Sequence, residues 1–69
     1  MPFDYNKLLG RIVEKCGTQA EFSRQMHLSE RSISLKLNGV RCWKQSEIAS
    51  ACKVLDIPVQ EIPIYFFNL

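Results

Sequence analysis

The stretch Gln19-Ala20-Glu21-Phe22-Ser23-Arg24-Gln25-Met26-His27-Leu28-Ser29-Glu30-Arg31-Ser32-Ile33 decides the fold, because it holds a short helix, a tight turn and a second helix with its own start signal. Thr18 precedes it and forms a capping box with Glu21, and Ala20, Phe22 and Met26 give the first helix its apolar contacts until it stops near His27. Ser29 caps the second helix, in which Ile33 and Leu37 share a buried face four residues apart, and Asn38-Gly39 supplies a left-handed stop. Phe22, Met26, Leu28, Ile33 and Leu37 fall where the two helices must cross. This is the spacing of a helix-turn-helix over residues 18–38.

Outward from it, Asp4 is a good N-cap, and Tyr5, Leu8, Leu9, Ile12, Val13 and Cys16 recur at helical spacing up to Gly17, which predicts a helix over 5–16. Ile48, Ala51, Cys52 and Leu55 form the inward face of a further helix over 45–55, with Trp43 placed to pack back on it as a hydrophobic staple. Pro58 and Pro63 limit the next segment to one short turn around Val59 to Ile62. The continuous apolar run Ile64-Tyr65-Phe66-Phe67 is rich in strand formers, which predicts an extended segment within a tail over 58–69. No repeat, low-complexity tract or linker divides the chain, so a single domain over 1–69 is expected.

Composition narrows the function classes. With 46% hydrophobic residues and only 3 Gly and 3 Pro the balance is globular, and a chain of 69 residues must commit most of its large apolar side chains to one small core. Cys16, Cys42 and Cys52 are odd in number, lack CxxC spacing and accompany one histidine, which supports neither a disulfide framework nor a metal site. The histidine falls in a turn, no glycine-rich phosphate loop exists and no carboxylates converge on a cleft, so neither enzymatic chemistry nor a cofactor is expected. There is no signal-peptide pattern and no apolar stretch long enough for a membrane span, so a cytoplasmic location without membrane contact is expected.

A net charge of +2 is too small to imply nucleic acid, but its placement is uneven. Between Thr18 and Lys44 the bases Arg24, Arg31, Lys36, Arg41 and Lys44 face only Glu21 and Glu30, whereas from Gln45 onward Lys53 faces Glu47, Asp56 and Glu61. The middle of the chain carries the positive field. On the helix over 30–38, Arg31, Ser34, Leu35 and Asn38 project opposite Ile33 and Leu37, free to enter the major groove of double-stranded DNA. Glu30, Arg31, Ser34 and Leu35 are therefore the candidate base contacts. Arg31 suits the guanine edge, Glu30 suits cytosine N4 or simply the helix dipole, and Leu35 suits a thymine methyl. Gln19, Ser32, Asn38, Arg41 and Lys44 are the candidate contacts to the DNA backbone, with capping or solvation as the alternative for each. Ile64 to Phe67 either folds back over the first and fourth helices or pairs as a strand with the same run of a second copy. The homodimer would present two helices to half-sites about 34 Å apart.

With these residues in place, the stretch resembles the Cro and phage-repressor type of helix-turn-helix domain, matching its Gln at the start of the second helix and its Asn-Gly after the third, over about residues 1 to 55. More narrowly, Phe3-Asp4-Tyr5, Gly10-Arg11-Ile12-Val13-Glu14-Lys15, Leu28-Ser29-Glu30-Arg31-Ser32, Leu35-Lys36-Leu37-Asn38 and Tyr65-Phe66-Phe67 resemble a family of very short temperate-phage regulators, the Cro-like or modulator-of-repression proteins. The broad family has a turn glycine where this chain has His27 and a small alanine where it has Ser23. Histidine enters the left-handed region more readily than most residues, and a serine hydroxyl can bond a carbonyl one turn back. The resemblance implies an all-α, compact Cro- and repressor-like domain of four to five helices in a bacterial host cell, with Gln19 bracing Glu30. It leaves two functions open. One is a sequence-specific DNA-binding repressor that inserts the 30–38 helix in the major groove. The other is an antirepressor that binds a partner phage repressor through the same face, for which Leu35 and the low net charge speak.

Overall fold

In the computed structural model, which describes residues 4–67, five α-helices succeed one another: α1 (Asn6–Cys16), α2 (Gln19–Met26), α3 (Glu30–Leu37), α4 (Gln45–Leu55) and α5 (Ile62–Phe66). A single 3-10 turn, Val59–Glu61, leads into α5, and no strand occurs among the described residues. The core gathers one stripe from each helix: Leu8 and Ile12, Phe22 and Met26, Ile33 and Leu37, Ala51 and Leu55, and Phe66, closed by Tyr5 and Ile57. α1 lies against α2, α4 and α5, and α2 lies against α3 and α4.

Local chemistry sets the helix ends. Thr18 Oγ1 accepts the Glu21 N–H at 3.1 Å and Ser29 Oγ accepts the Ser32 N–H at 3.1 Å, each satisfying a donor that the first turn leaves orphaned. The expected capping box at α2 is half formed, since the Glu21 carboxylate turns instead to Arg24 and Gln25. Asp4 acts one position early: Tyr5 occupies the N-cap of α1 and Asp4 Oδ1 accepts the Asn6 N–H at 2.9 Å. His27 ends α2 in the left-handed conformation (φ 60°), and Ser23 Oγ donates to the Ala20 carbonyl at 2.7 Å. His27 and Ser23 thus take up the left-handed turn and the carbonyl bond expected of them. Gly39 (φ 77°) turns the chain out of α3.

The C-terminal segment differs from expectation. Ile64 to Phe66 belong to α5, not to an extended tail, because Pro63 sits where a first-turn N–H is not needed and because a helical turn drives Phe66 into the core. Phe66 is 1% exposed and meets the Trp43 ring edge-on at a centroid distance of 5.2 Å. Burial here outweighs the strand preference of the run. Pairing of Ile64 to Phe67 as a strand with a second copy is therefore displaced by docking in cis, although Ile64 and Phe67 stay exposed. Residues 68–69 lie outside the described part, so the expected tail over 58–69 is traced to Phe67. Phe3 of the resemblance lies outside it as well.

Across the molecule, Arg11 on α1 closes the far end of α4. Its Nε donates to the Leu55 carbonyl at 2.9 Å and its Nη2 to the Asp56 carbonyl at 2.8 Å, two acceptors that the helix C-terminus leaves open. No helix among the described residues is long and apolar enough to cross a membrane.

Candidate functional site

The outer side of α3 is built by the core on its inner side. Ile33 and Leu37 are buried, which leaves Arg31 and Asn38 exposed and Ser34 and Leu35 half-buried on the side away from them. Glu30 is exposed in the first turn, where its charge complements the helix dipole, and Ser32 is half-buried. Asn38 Nδ2 donates to Ser34 Oγ at 3.3 Å, which stiffens the last turn. Leu35 is less exposed than its position opposite the core implies. The chain folds back after Gly39, with the Val40 and Arg41 N–H groups both donating to the Leu35 carbonyl at 2.9 and 3.2 Å. That return brings Val40, 69% exposed, and Arg41, also exposed, to the same helical turn as Leu35.

Among the candidates for backbone contact, Arg41 and Lys44 are exposed in the connection between α3 and α4, with no ion-pair partner among the described residues. Gln19 opens α2, half-buried, and makes no side-chain hydrogen bond to Glu30 or to any other described residue. The bracing role implied by the resemblance is therefore not formed.

The positive field is smaller than the sequence count implies. Arg24 is paired with Glu21 one turn before it, and the Arg24 and Gln25 hydrogen bonds draw the Glu21 carboxyl down to about 2. Lys36 is not a surface base at all. Its side chain is 7% exposed, with Nζ 3.0 Å from Glu47 Oε1 and 3.3 Å from the Cys42 carbonyl. Burial by itself would raise the Glu47 carboxyl, but the Lys44 N–H bond at 2.9 Å and the Lys36 ammonium outweigh it and hold the group below its usual value. Of the five bases between Thr18 and Lys44, Arg31, Arg41 and Lys44 are exposed and form no ion pair among the described residues.

Sequence reasoning missed Lys36, Glu47 and Val40. The available signals were the position of Lys36 on the flank of the α3 core stripe, the spacing of Glu47 three residues after Lys44, and an apolar residue directly after Asn38-Gly39. Trp43 and Ile48, the expected staple, both pack against the core and line one cavity of about 200 Å³ with Tyr5 and Phe66. Among the thiols, Cys16 and Cys52 pack partly buried as expected, and burial raises both. Cys42 is exposed, and its carbonyl accepts from Lys36 Nζ.

The family described as protein of unknown function (DUF739) matches residues 1–69. No match was found among the curated proteins. Among solved structures, the solution structure of the modulator of repression of the temperate bacteriophage TP901-1 from Lactococcus lactis is 56% identical. The match covers 99% of this chain and 92% of that one, with a TM-score of 0.86. The aligned part of this chain includes the α5 segment, the element that departs most from the sequence expectation. The chain therefore belongs to the DUF739 family and shares a family with the modulator of repression of phage TP901-1.

Proposed function

We propose that this chain is a modulator of repression: a small regulator of a temperate phage, acting in the cytoplasm of the bacterial host as one unit over residues 1–69, without catalytic activity or cofactor. In this reading it binds a partner phage repressor through the outer side of α3 and the connection after it, and so withdraws the repressor from its operator. The observation that carries the reading is 56% identity over nearly the whole of both chains to a protein named a modulator of repression. The charge balance supports it, since burial of Lys36 and pairing of Arg24 leave too few free cations for strong phosphate neutralisation. Leu35 and Val40 give the face an apolar centre, and Glu30 offers an anion to the basic residues of a DNA-reading partner.

Direct binding to duplex DNA is the second reading, favoured by Arg31, Arg41 and Lys44, which lack ion-pair partners among the described residues. It assigns base contacts to Glu30, Arg31, Ser34 and Leu35 and backbone contacts to Gln19, Ser32, Asn38, Arg41 and Lys44. The two readings separate on one experiment. The purified protein is added to a preformed complex of the same phage's repressor with its operator, and separately to the operator alone, at two salt concentrations. Release of operator from the complex, no retention of free operator above random duplex, and weak dependence on salt are expected. Saturable binding of the chain alone to operator, falling steeply with salt, would establish the DNA reading instead.

A further inference from the structure

The interaction face is made of two pieces, α3 and the connection after it, and besides the packing of Trp43 on the core they are tied by polar contacts. α3 packs principally against α2, and its last turn meets α4 through polar atoms. Lys36 Nζ reaches Glu47 Oε1 at 3.0 Å and the Cys42 carbonyl at 3.3 Å, and the same carboxylate oxygen accepts the Lys44 N–H at 2.9 Å. One buried ammonium therefore ties α3 to the middle of the 38–44 connection and to the first turn of α4. At its near end the connection is held by the Leu35 carbonyl, which takes the Val40 and Arg41 N–H groups, and by the Lys36 carbonyl, which takes the Gly39 N–H at 3.2 Å. Such a pair is a poor source of stability, because desolvating two charges offsets most of their attraction; its directionality is what an apolar pair cannot replace.

We propose that Lys36 and Glu47 are positioning residues for the interaction face. They hold the 38–44 connection at one angle to α3, so that Val40 and Arg41 extend the surface of Arg31 and Leu35. The partner-binding part of this inference rests on the function proposed above. Neither residue touches the partner. They act through the connection they clamp, which is why the charge of Lys36 is hidden from solvent although it lies one residue after Leu35.

The test is the double substitution Lys36→Met with Glu47→Gln, which removes both charges while keeping an unbranched stem at 36 and a carbonyl oxygen at 47 for the Lys44 N–H. Three quantities are measured beside the parent protein: the urea midpoint, amide hydrogen exchange, and affinity for the same phage's repressor. The expected result is a nearly unchanged midpoint, exchange at Val40 and Arg41 about tenfold faster with core amides of α1 and α2 unaffected, and affinity about tenfold weaker. Unchanged exchange and affinity would overturn the proposal. So would acceleration of all amides in step with a lowered midpoint, which would make the pair a stability element only. Should the double variant not fold, Lys36→Leu with Glu47→Gln, which also leaves no charge unpaired, is judged by the same criteria. If the parent protein does not bind the repressor, the functional reading fails, while the exchange measurement still decides whether the pair clamps the connection.

Discussion

Phe66→Ala measures how far the C-terminal helix is part of the fold. Phe66 is 1% exposed, its ring stands edge-on to Trp43, and α5 lies against α1, so truncation empties a site whose walls are helices that cannot easily collapse inward. Removing a fully buried Phe costs about 3–5 kcal/mol, which already contains the roughly 0.5–1.5 kcal/mol of its aromatic contact. A 69-residue domain has about 3–10 kcal/mol in total, so the variant should sit at the edge of unfolding in buffer. With a urea slope near 1 kcal/mol per molar, a loss of that size lowers the midpoint by about 3–5 M. Trp43, the single tryptophan, reports the change by fluorescence, and far-UV circular dichroism gives an independent transition. Ile64→Ala, at a 44% exposed position on the same helix, should cost less than about 1 kcal/mol. A Phe66→Ala loss below about 1 kcal/mol would refute the docking of α5. A parent midpoint that rises with protein concentration would refute docking in cis and revive a dimer built on this segment.

Single contacts set three further outcomes. Ser29→Ala should cost about 1 kcal/mol in urea unfolding, because the Ser32 N–H loses its acceptor; no loss would mean that water replaces the cap fully. His27→Gly should stabilise by about 0.5–1 kcal/mol, since φ of 60° suits glycine, and a destabilised variant would show that the imidazole makes a compensating contact. For Glu47, the folded carboxyl lies below its unfolded value. Its contribution is therefore complete above the ordinary carboxylate range and is lost as pH falls through the lower folded value. Acid titration of the parent should show an extra stability loss at the acid end of the carboxylate range that Glu47→Gln lacks; identical acid profiles would contradict the assignment.

Much of this architecture is local and could be read one turn at a time. Thr18 and Ser29 accept the N–H groups that their side chains are chemically suited to accept, His27 and Gly39 stand where the backbone must turn left, and Ile33 with Leu37 fix which side of α3 faces outward. The candidate face was legible to the same extent: Arg31 and Asn38 are exposed because the residues flanking them at helical spacing are buried. What failed was each inference that needed to know what lies across a gap. From sequence Lys36 counts as a surface charge, because its partner is eleven positions away on another helix. Gln19 was paired with Glu30 by resemblance, and the fold leaves it without that bond.

Pattern and cap chemistry thus determine by themselves the four helices through Leu55, their ends to within a residue or two, and the helix-turn-helix over 18–38, since hydrogen bonds of three or four residues' reach set those features. Tertiary structure alone decides that Ile62–Phe66 is a helix, because the free energy of burying Phe66 beside Trp43 exceeds the local strand preference of an apolar run. It also decides how much charge the molecule shows. A lysine and a glutamate become an internal pair only once α3 and α4 are packed together, and the surface left behind is less basic than the sequence count implies.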